Sequence, residues 1–272
     1  AGLNYSIKEG YEGVYVDISG YKESSLRLYE LMLEHMTDFK ITQNQFEAIK
    51  DKIVRDYENL ALADAYMQTR ELAPDLFYNV KYTWKQVLPI AKKATFDEIK
   101  SYESNLFNKT HLEAMVYGDY VEQDAKKVLS IFKSKTKTVG ISKEDAFELG
   151  YLNMAKPESV QYVDKLLVNN SCFFRMYEIG KDSPKTRALA ALIGKAVEQP
   201  FYTEMRTNQQ LGYIVASYPM SYDQTYYLNF LIQSGDYPAD DLNSRANTFI
   251  SSTPKIVEEL TDETFKQLID SA

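Results

Sequence analysis

Residues 199–215 have the sequence QPFYTEMRTNQQLGYIV, in which the end of a helix leads through a polar loop into a strand. Arg206 lies in the loop, where its guanidinium can present a rigid fork of donors at the strand entrance. Tyr213 follows Gly212, a conformationally permissive residue, and can direct a phenol hydroxyl from the start of the strand. Together these side chains could hold a carbonyl group or stabilise a developing oxyanion. In the other interpretation, Arg206 pairs with Glu204 or another nearby acid and Tyr213 packs against its neighbours.

The chain around this segment alternates between strand and helix patterns. Two strands are predicted before it, and they turn at Asn169-Asn170. A helix leads into it, and a hairpin, a long helix and a last helix capped by Thr261 follow. The predicted ranges are 161–168 and 172–179 for the first strands, 185–203 for the helix, 211–218 and 225–233 for the hairpin, and 240–260 for the long helix.

The first half of the chain opens with a predicted hairpin, because apolar residues alternate over 3–7 and 14–18 with glycines between them. Thr42 and Thr95 each begin a capping-box pattern that predicts the start of a helix. The remaining predictions are helices at 24–39, from 42 past 60, at 65–77 with a break at Pro74, from 95 to about 106 and at 125–132, a strand at 112–116, and a linker at 133–157.

One order of elements occurs twice: a glycine-led strand, a second strand, a long helix, and a threonine cap with phenylalanine four residues later. The first copy runs from Gly2 through Thr42 to Phe46, and the second from Gly212 through Thr261 to Phe265. An internal repeat of about 215 residues would mean that the chain starts midway through one unit and stops midway through the next. The start without an initiator methionine agrees with a cut end.

The composition is that of a soluble globular protein, with 44% hydrophobic residues and a net charge of −8 from 39 acidic and 31 basic residues. This balance argues against nucleic acid as a partner, because phosphate neutralisation needs a basic face. The sequence also predicts no membrane partner, since no apolar run approaches the roughly 18 residues of a span and no signal peptide opens the chain. The single Cys172 excludes an internal disulfide, and its apolar neighbours predict a buried side chain.

No self-sufficient catalytic centre is found in the sequence. His35 ends the run Leu31-Met32-Leu33-Glu34-His35, which has leucine where an H-x-x-E-H motif needs its first ligand. The only other histidine is His111, and no spacing argument joins the two into a zinc site. Nucleophile-elbow, P-loop and dinucleotide-binding patterns are missing as well. The chain is therefore predicted to be inactive alone and to bind no metal.

The residues Arg206-Thr207-x-x-Gln210-Leu211-Gly212-Tyr213 closely resemble the R-T-x-x-Q-L-G-Y signature of the family of pitrilysin and insulin-degrading enzyme, the inverzincin zinc peptidases. The resemblance covers essentially the whole chain. It extends to the strand at 230–234, to the opening hairpin at 1–21 and to the strand at 113–119.

The resemblance implies an α+β fold with two partial repeats of a mixed or antiparallel sheet packed with helices, as in pitrilysin and the mitochondrial processing peptidase. Residues 1–155 would be the later part of a third peptidase-like domain, and 156–272 the first part of a fourth. It also implies that Arg206 and Tyr213 contact substrate and transition state, and that Gln210, Leu211 and Gly212 belong to the substrate-binding segment.

The resemblance further implies a function. The chain would be the non-metal-binding C-terminal portion of a zinc-dependent endopeptidase that degrades peptides, forming chamber wall and substrate contacts. Its partners would be peptide substrates and the N-terminal half that carries zinc, with a homo-oligomer possible. The alternative is a stand-alone, non-catalytic peptide-binding or assembly subunit of a two-chain peptidase. The compartment stays open between periplasm and cytoplasm, and the two partial repeats could also form one composite sheet.

Overall fold

A computed structural model of the chain describes residues 2–10, 12–79, 82–152 and 159–271. The chain divides into two compact units, and each is described by itself. The first consists of Ala1–Arg55 and Val80–Gly150, and the second of Asp56–Asn79 and Tyr151–Ala272. The predicted α+β class is confirmed, because helices pack with small, mainly antiparallel sheets.

The first unit opens with an antiparallel hairpin and continues mainly as helices. Its elements are β1 (Asn4–Gly10), β2 (Gly13–Ser19), α1 (Lys22–Thr37), most of α2 (Gln43–Ala61), α4 (Trp84–Lys93), α5 (Phe96–Asn105), β3 (Lys109–Thr110), α6 (Glu122–Thr136) and β4 (Val139–Gly140). The strands β3 and β4 form a short parallel pair.

Helices α1 and α6 of the first unit are joined by charged side chains. Lys135 Nζ lies 3.0 Å from Glu30 and 2.5 Å from Glu34, and Lys22 Nζ lies 2.7 Å from Asp124. These groups are solvent-accessible, so each pair contributes little to stability.

The second unit is built on a three-stranded antiparallel sheet. Its elements are the end of α2, α3 (Ala65–Leu72), a 3₁₀ turn (Ala73–Leu76), β5 (Ser171–Lys181), α7 (Pro184–Tyr202), a π-helical segment (Thr203–Asn208), β6 (Ile214–Tyr222), β7 (Thr225–Ser234), α8 (Ala239–Glu258) and α9 (Asp262–Ser271). The strand order is β5-β7-β6, so the most apolar strand lies in the centre.

Both faces of this sheet are covered. Because side chains alternate along a strand, Leu228, Phe230 and Ile232 of β7 face the core formed with α7 and α8. The opposite face meets α3 and the 3₁₀ turn: the ring of Phe77 packs at a tilt against that of Tyr227, with 5.0 Å between the ring centroids. The segment 56–79 therefore covers the second sheet, although it precedes that sheet by about a hundred residues.

The predicted helix starts and the repeated order of elements are confirmed. Thr42 Oγ accepts from the backbone N–H of Gln45 at 3.3 Å, and Thr261 Oγ accepts from that of Thr264 at 3.1 Å. In both copies a hairpin leads through a long helix to one of these caps. The hairpin β1–β2 and the sheet β5-β7-β6 are separate among the described residues, so the composite sheet is not formed there.

Two predicted strands are wrong. The alternating residues at 112–116 and 161–168 are in neither a helix nor a strand. Met115 in the first segment is 88% exposed, and Val163 in the second is 78% exposed. A strand needs a partner for its backbone donors and acceptors, and in the described ranges neither segment has one. Asn170, predicted to lie in a turn between strands, instead accepts a hydrogen bond at 3.0 Å from the first backbone N–H of α3, that of Ala65.

The predicted linker at 133–157 is partly ordered. Helix α6 continues to Thr136, β4 pairs with β3, and Leu149 is buried with its N–H donated to Glu12 at 3.1 Å. The end of this linker, with Pro157 and the predicted domain boundary at 155/156, lies outside the described residues. Helix α4 was not predicted, although a capping box formed by Thr83 and Gln86 marks its start.

Candidate functional site

The candidate site lies at the C-terminal end of α7, where the helix continues as a wider π-helical turn before the chain reaches β6. Helix α7 starts at a Ser183 cap, and its apolar side reaches the core through Val197 and Phe201, both 0% exposed. After Tyr202 the helix continues as six π-helical residues, in which Met205 is also fully buried. π-Helical turns are rare and occur frequently at functional sites. The buried side chains hold this turn against the core, while Arg206 is partly exposed and Thr207 and Asn208 are exposed.

The widened helix ends with a left-handed residue. Gln210 has φ of 53°, and the N–H of Leu211 bonds across it to the carbonyl of Met205 at 3.0 Å. The pattern resembles the Schellman motif at a helix C-terminus, but the hydrogen bond that closes it spans one residue more. Leu211 is 0% exposed and belongs to the core of the second unit. The Leu211 side chain therefore fixes the end of the helix to the core, and the place of this residue in a substrate-binding segment stays a prediction.

Gly212 is required by a close approach of two backbones rather than by conformational freedom. Its φ is not positive, contrary to the permissive role that the sequence suggested. A Cβ at this position would lie 1.8 Å from the carbonyl oxygen of Gln233 and 2.8 Å from its carbon. The glycine thus allows the chain to pass directly against β7 before β6 begins. Tyr213 lies between this contact and the first residue of β6, where its side chain is exposed.

Arg206 and Tyr213 are brought together by this geometry. The guanidinium carbon of Arg206 lies 5.1 Å from the centre of the Tyr213 ring, a cation–π distance. Tyr213 is 81% exposed, so it is not packed into a core. Arg206 has neither an ion pair nor a hydrogen bond to any residue within the described ranges. The alternative interpretation, in which Arg206 pairs with Glu204, is therefore wrong.

Glu204 instead accepts hydrogen bonds from two side-chain amides. Its carboxylate oxygens lie 2.7 Å from Asn208 Nδ2 and 2.8 Å from Gln209 Nε2. These two hydrogen bonds, that of Asn208 first, hold the pKa of Glu204 below its usual value. Sequence analysis missed this arrangement, although amides four and five residues after a glutamate on a helix are a detectable signal.

The remaining candidate residues are more dispersed. Gln210 is exposed beside the pair, and its role as a substrate contact stays a prediction. His35 is exposed on α1, and His111 contacts the Ile141 carbonyl at 3.3 Å and Glu113 at 3.4 Å. Over the described part of the chain, no three His, Cys, Asp or Glu residues are grouped so that they could hold a metal ion. None of the described helices is both long enough and apolar enough to cross a membrane.

The thiol of Cys172 is expected to be unreactive. Burial raises its pKa to about 11, against a smaller opposing effect of a hydrogen bond with Thr69. Since the thiolate is the reactive form, labelling by a thiol reagent at pH 8 should be ~10²-fold slower than in the denatured chain. The two rates are measured by absorbance with and without denaturant. Equal rates would show that the thiol is accessible and ionises normally.

Comparison with protein families gives matches at both ends of the chain. Residues 1–89 match the model described as the middle or third domain of peptidase M16. Residues 192–272, which include the candidate site, match the C-terminal lobe domain 4 of PQQ synthase PqqF-like proteins.

Individual relatives align with nearly the full chain. The chain is 25% identical over 276 residues to insulin-degrading enzyme from Homo sapiens, covering 100% of this chain and 27% of the relative. It is 24% identical to the putative zinc protease mug138 from Schizosaccharomyces pombe, covering 98% and 28%. A crystal structure of pitrilysin matches 98% of this chain and 28% of its own, with 21% identity and a TM-score of 0.80. The pitrilysin match supports the fold. The chain spans about a quarter of the length of these relatives.

Proposed function

We propose that this chain, which is similar to M16 peptidases over residues 1–89 and to insulin-degrading enzyme along its whole length, is the non-metal-binding C-terminal portion of a zinc-dependent endopeptidase that degrades peptides. It forms part of the chamber wall and contacts the substrate through Arg206 and Tyr213. In this proposal, residues 1–155 belong to the third peptidase-like domain and residues 156–272 to the fourth.

The observation that carries this proposal is the pair of Arg206, which is partly exposed, and Tyr213, which is exposed. A guanidinium has five N–H donors in a fixed fork, and this one makes neither an ion pair nor a hydrogen bond among the described residues. The ring of Tyr213 restricts the guanidinium without using its donors. Such a preorganised group can bind a peptide carbonyl and becomes more favourable as negative charge develops on the oxygen.

The metal and the attacking group come from polypeptide outside this chain. The His and carboxylate residues of the described part do not fit a zinc site, since no three of them are grouped, and a catalytic zinc site needs three protein ligands. We therefore assign zinc to an N-terminal half of the same enzyme and peptides to the substrate. A homo-oligomer and either a periplasmic or a cytoplasmic location are compatible with this assignment.

A non-catalytic subunit of a two-chain peptidase is the second candidate. It is supported by the same dispersed arrangement of His35 and His111, which leaves substrate contact without metal chemistry. An H-x-x-E-H motif upstream in the same gene would favour the one-chain enzyme. A natural start near Ala1 would favour the subunit.

Peptide hydrolysis by this chain with added zinc tests the proposal. We expect no turnover of a quenched-fluorescent peptide, with or without chelator. We also expect weak peptide binding, measured by fluorescence anisotropy, that is lost in Arg206→Ala. Chelator-sensitive turnover by the pure chain would contradict the proposal and would mean that His35 and His111 contribute to a metal site. Peptide binding unchanged in Arg206→Ala would contradict the assigned role of the arginine.

A further inference from the structure

The π-helical segment carries a network of hydrogen-bonded side chains. The carboxylate of Glu204 accepts from the amides of Asn208 and Gln209 at 2.7 and 2.8 Å. Its backbone carbonyl also accepts from the N–H of Gln209 at 3.0 Å, the bond from residue i to residue i−5 that defines the wide turn. Side chain and backbone of Glu204 therefore bind the same residue and close the same turn.

The network continues into α8. Gln209 Oε1 accepts from Arg245 Nη1 at 3.2 Å, and Arg245 Nε donates to Asp241 at 3.1 Å. The guanidinium of Arg245 also lies 5.0 Å from the centre of the Tyr237 ring. Because α8 packs on the sheet through the fully buried Leu242, these contacts connect the wide turn to a fixed part of the second unit.

The wide turn determines where Arg206 lies. One residue corresponds to about 100° of rotation around an α-helix, so closing the turn as ordinary α-helix would rotate Arg206 relative to Tyr213. Tyr213 cannot follow such a rotation, because Gly212 and β6 are held against β7. The π form is also the rare one, and Gln210 after it has a left-handed conformation that is unfavourable for a non-glycine residue.

We propose that Glu204, Gln209 and Arg245 form a positioning clamp that keeps the turn wide and holds Arg206 over the Tyr213 ring. None of the three is a catalytic residue; they act through Arg206. The clamp deepens, and rests on, the substrate-holding function proposed above.

The hydrogen bond between residues 204 and 209 can be weakened by single substitutions and restored by a double substitution that exchanges donor and acceptor. In Glu204→Gln the carboxylate becomes a neutral amide with one acceptor oxygen, so the bond from Gln209 loses its charge assistance, and the contact with Asn208 is kept only if the Asn208 amide flips. In Gln209→Glu two carboxylates face each other. In the double variant Glu204→Gln/Gln209→Glu, the new amide at 204 donates to the new carboxylate at 209, which still accepts from Arg245. The matched control is Glu198→Gln, because Glu198 is an exposed glutamate of α7 that pairs with Lys195 at 3.3 Å and lies outside the clamp.

The first measurement is the NMR chemical shift of the Arg206 Nε–H proton in this chain, which the face of the Tyr213 ring shields. Tyr213→Leu gives the value without the ring. We expect each single variant to move the shift towards that value, and the double variant and Glu198→Gln to keep the wild-type shift. An unchanged shift in both single variants would overturn the clamp, whatever the enzyme's activity.

The second measurement is peptide hydrolysis by the longer peptidase that contains this chain. Each single variant should lower kcat by about tenfold with little change in KM, since misplacement of a preorganised group is costly in the transition state. The double variant should recover to within about threefold of wild type. Unchanged kcat in the single variants, beside a loss in Arg206→Ala, would overturn the positioning role alone. Unchanged kcat in Arg206→Ala would instead refute the proposed function, and the NMR result would still decide the clamp.

Discussion

Arg206→Ala in the longer peptidase is expected to lower kcat/KM by ~10²-fold, the scale of losing one oxyanion donor. The guanidinium has no partner among the described residues other than the Tyr213 ring, so its donors are available to substrate. Tyr213→Phe removes the phenol hydroxyl and keeps the ring beneath the guanidinium. We expect a loss of similar size if the hydroxyl also donates to the developing oxyanion. Arg206→Lys should be intermediate, because lysine keeps the charge and loses the planar fork.

The control for this series is Arg187→Ala. Arg187 is an exposed arginine of α7, and its side chain pairs with Asp182 at 2.6 Å. We expect its steady-state kinetics to equal those of wild type. Thermal unfolding of Arg206→Ala should also match wild type closely, because few contacts are lost. Unchanged kcat/KM in both Arg206→Ala and Tyr213→Phe would contradict the assigned roles.

Gly212→Ala is expected to lower the free energy of unfolding by about 3 kcal/mol or more, at the upper end for overpacking. The new Cβ would lie 1.8 Å from the carbonyl oxygen of Gln233, and 3.3 Å from the Cα of Ser234. These are backbone atoms of the central strand, held between β5 and β6, so neither can move aside as the end of a flexible side chain would. The measurement is urea unfolding of this chain followed by circular dichroism.

Gly235→Ala provides the matched control for this substitution. Gly235 follows Ser234 directly, and a Cβ there would have nothing within 4 Å. Its unfolding free energy should lie within about 0.5 kcal/mol of wild type. Equal destabilisation by both substitutions would show that the close approach at Gly212 is not the reason for the glycine.

Prediction from sequence succeeded where local chemistry is sufficient. The caps at Thr42, Thr95 and Thr261 begin helices as predicted, since a hydroxyl and a side chain three residues later can satisfy the first backbone donors without any distant partner. The hairpin β6–β7 was predicted for a similar reason, because its alternating pattern and its turn lie within one short segment. The strands predicted at 112–116 and 161–168 failed because alternation supplies no pairing partner.

The candidate site was predicted in part. The sequence identified Arg206 and Tyr213 as a pair, but it gave no sign that Leu211 is buried and it assigned Gly212 to conformational freedom. The structure places Leu211 in the core and Gly212 against the Gln233 backbone. Both features depend on contacts between residues that only the folded sheet brings together.

The sequence by itself determined most of the helices, the capped helix starts, the hairpins and the family signature, because these depend on neighbouring residues and on side-chain periodicity. Only the tertiary structure decided that residues 56–79 cover the second sheet. It alone also revealed the widened turn through which Arg206 reaches Tyr213. The physical reason is that a π turn and a long-range packing partner are stabilised by contacts with distant elements, here β7 and α8, which no local pattern specifies.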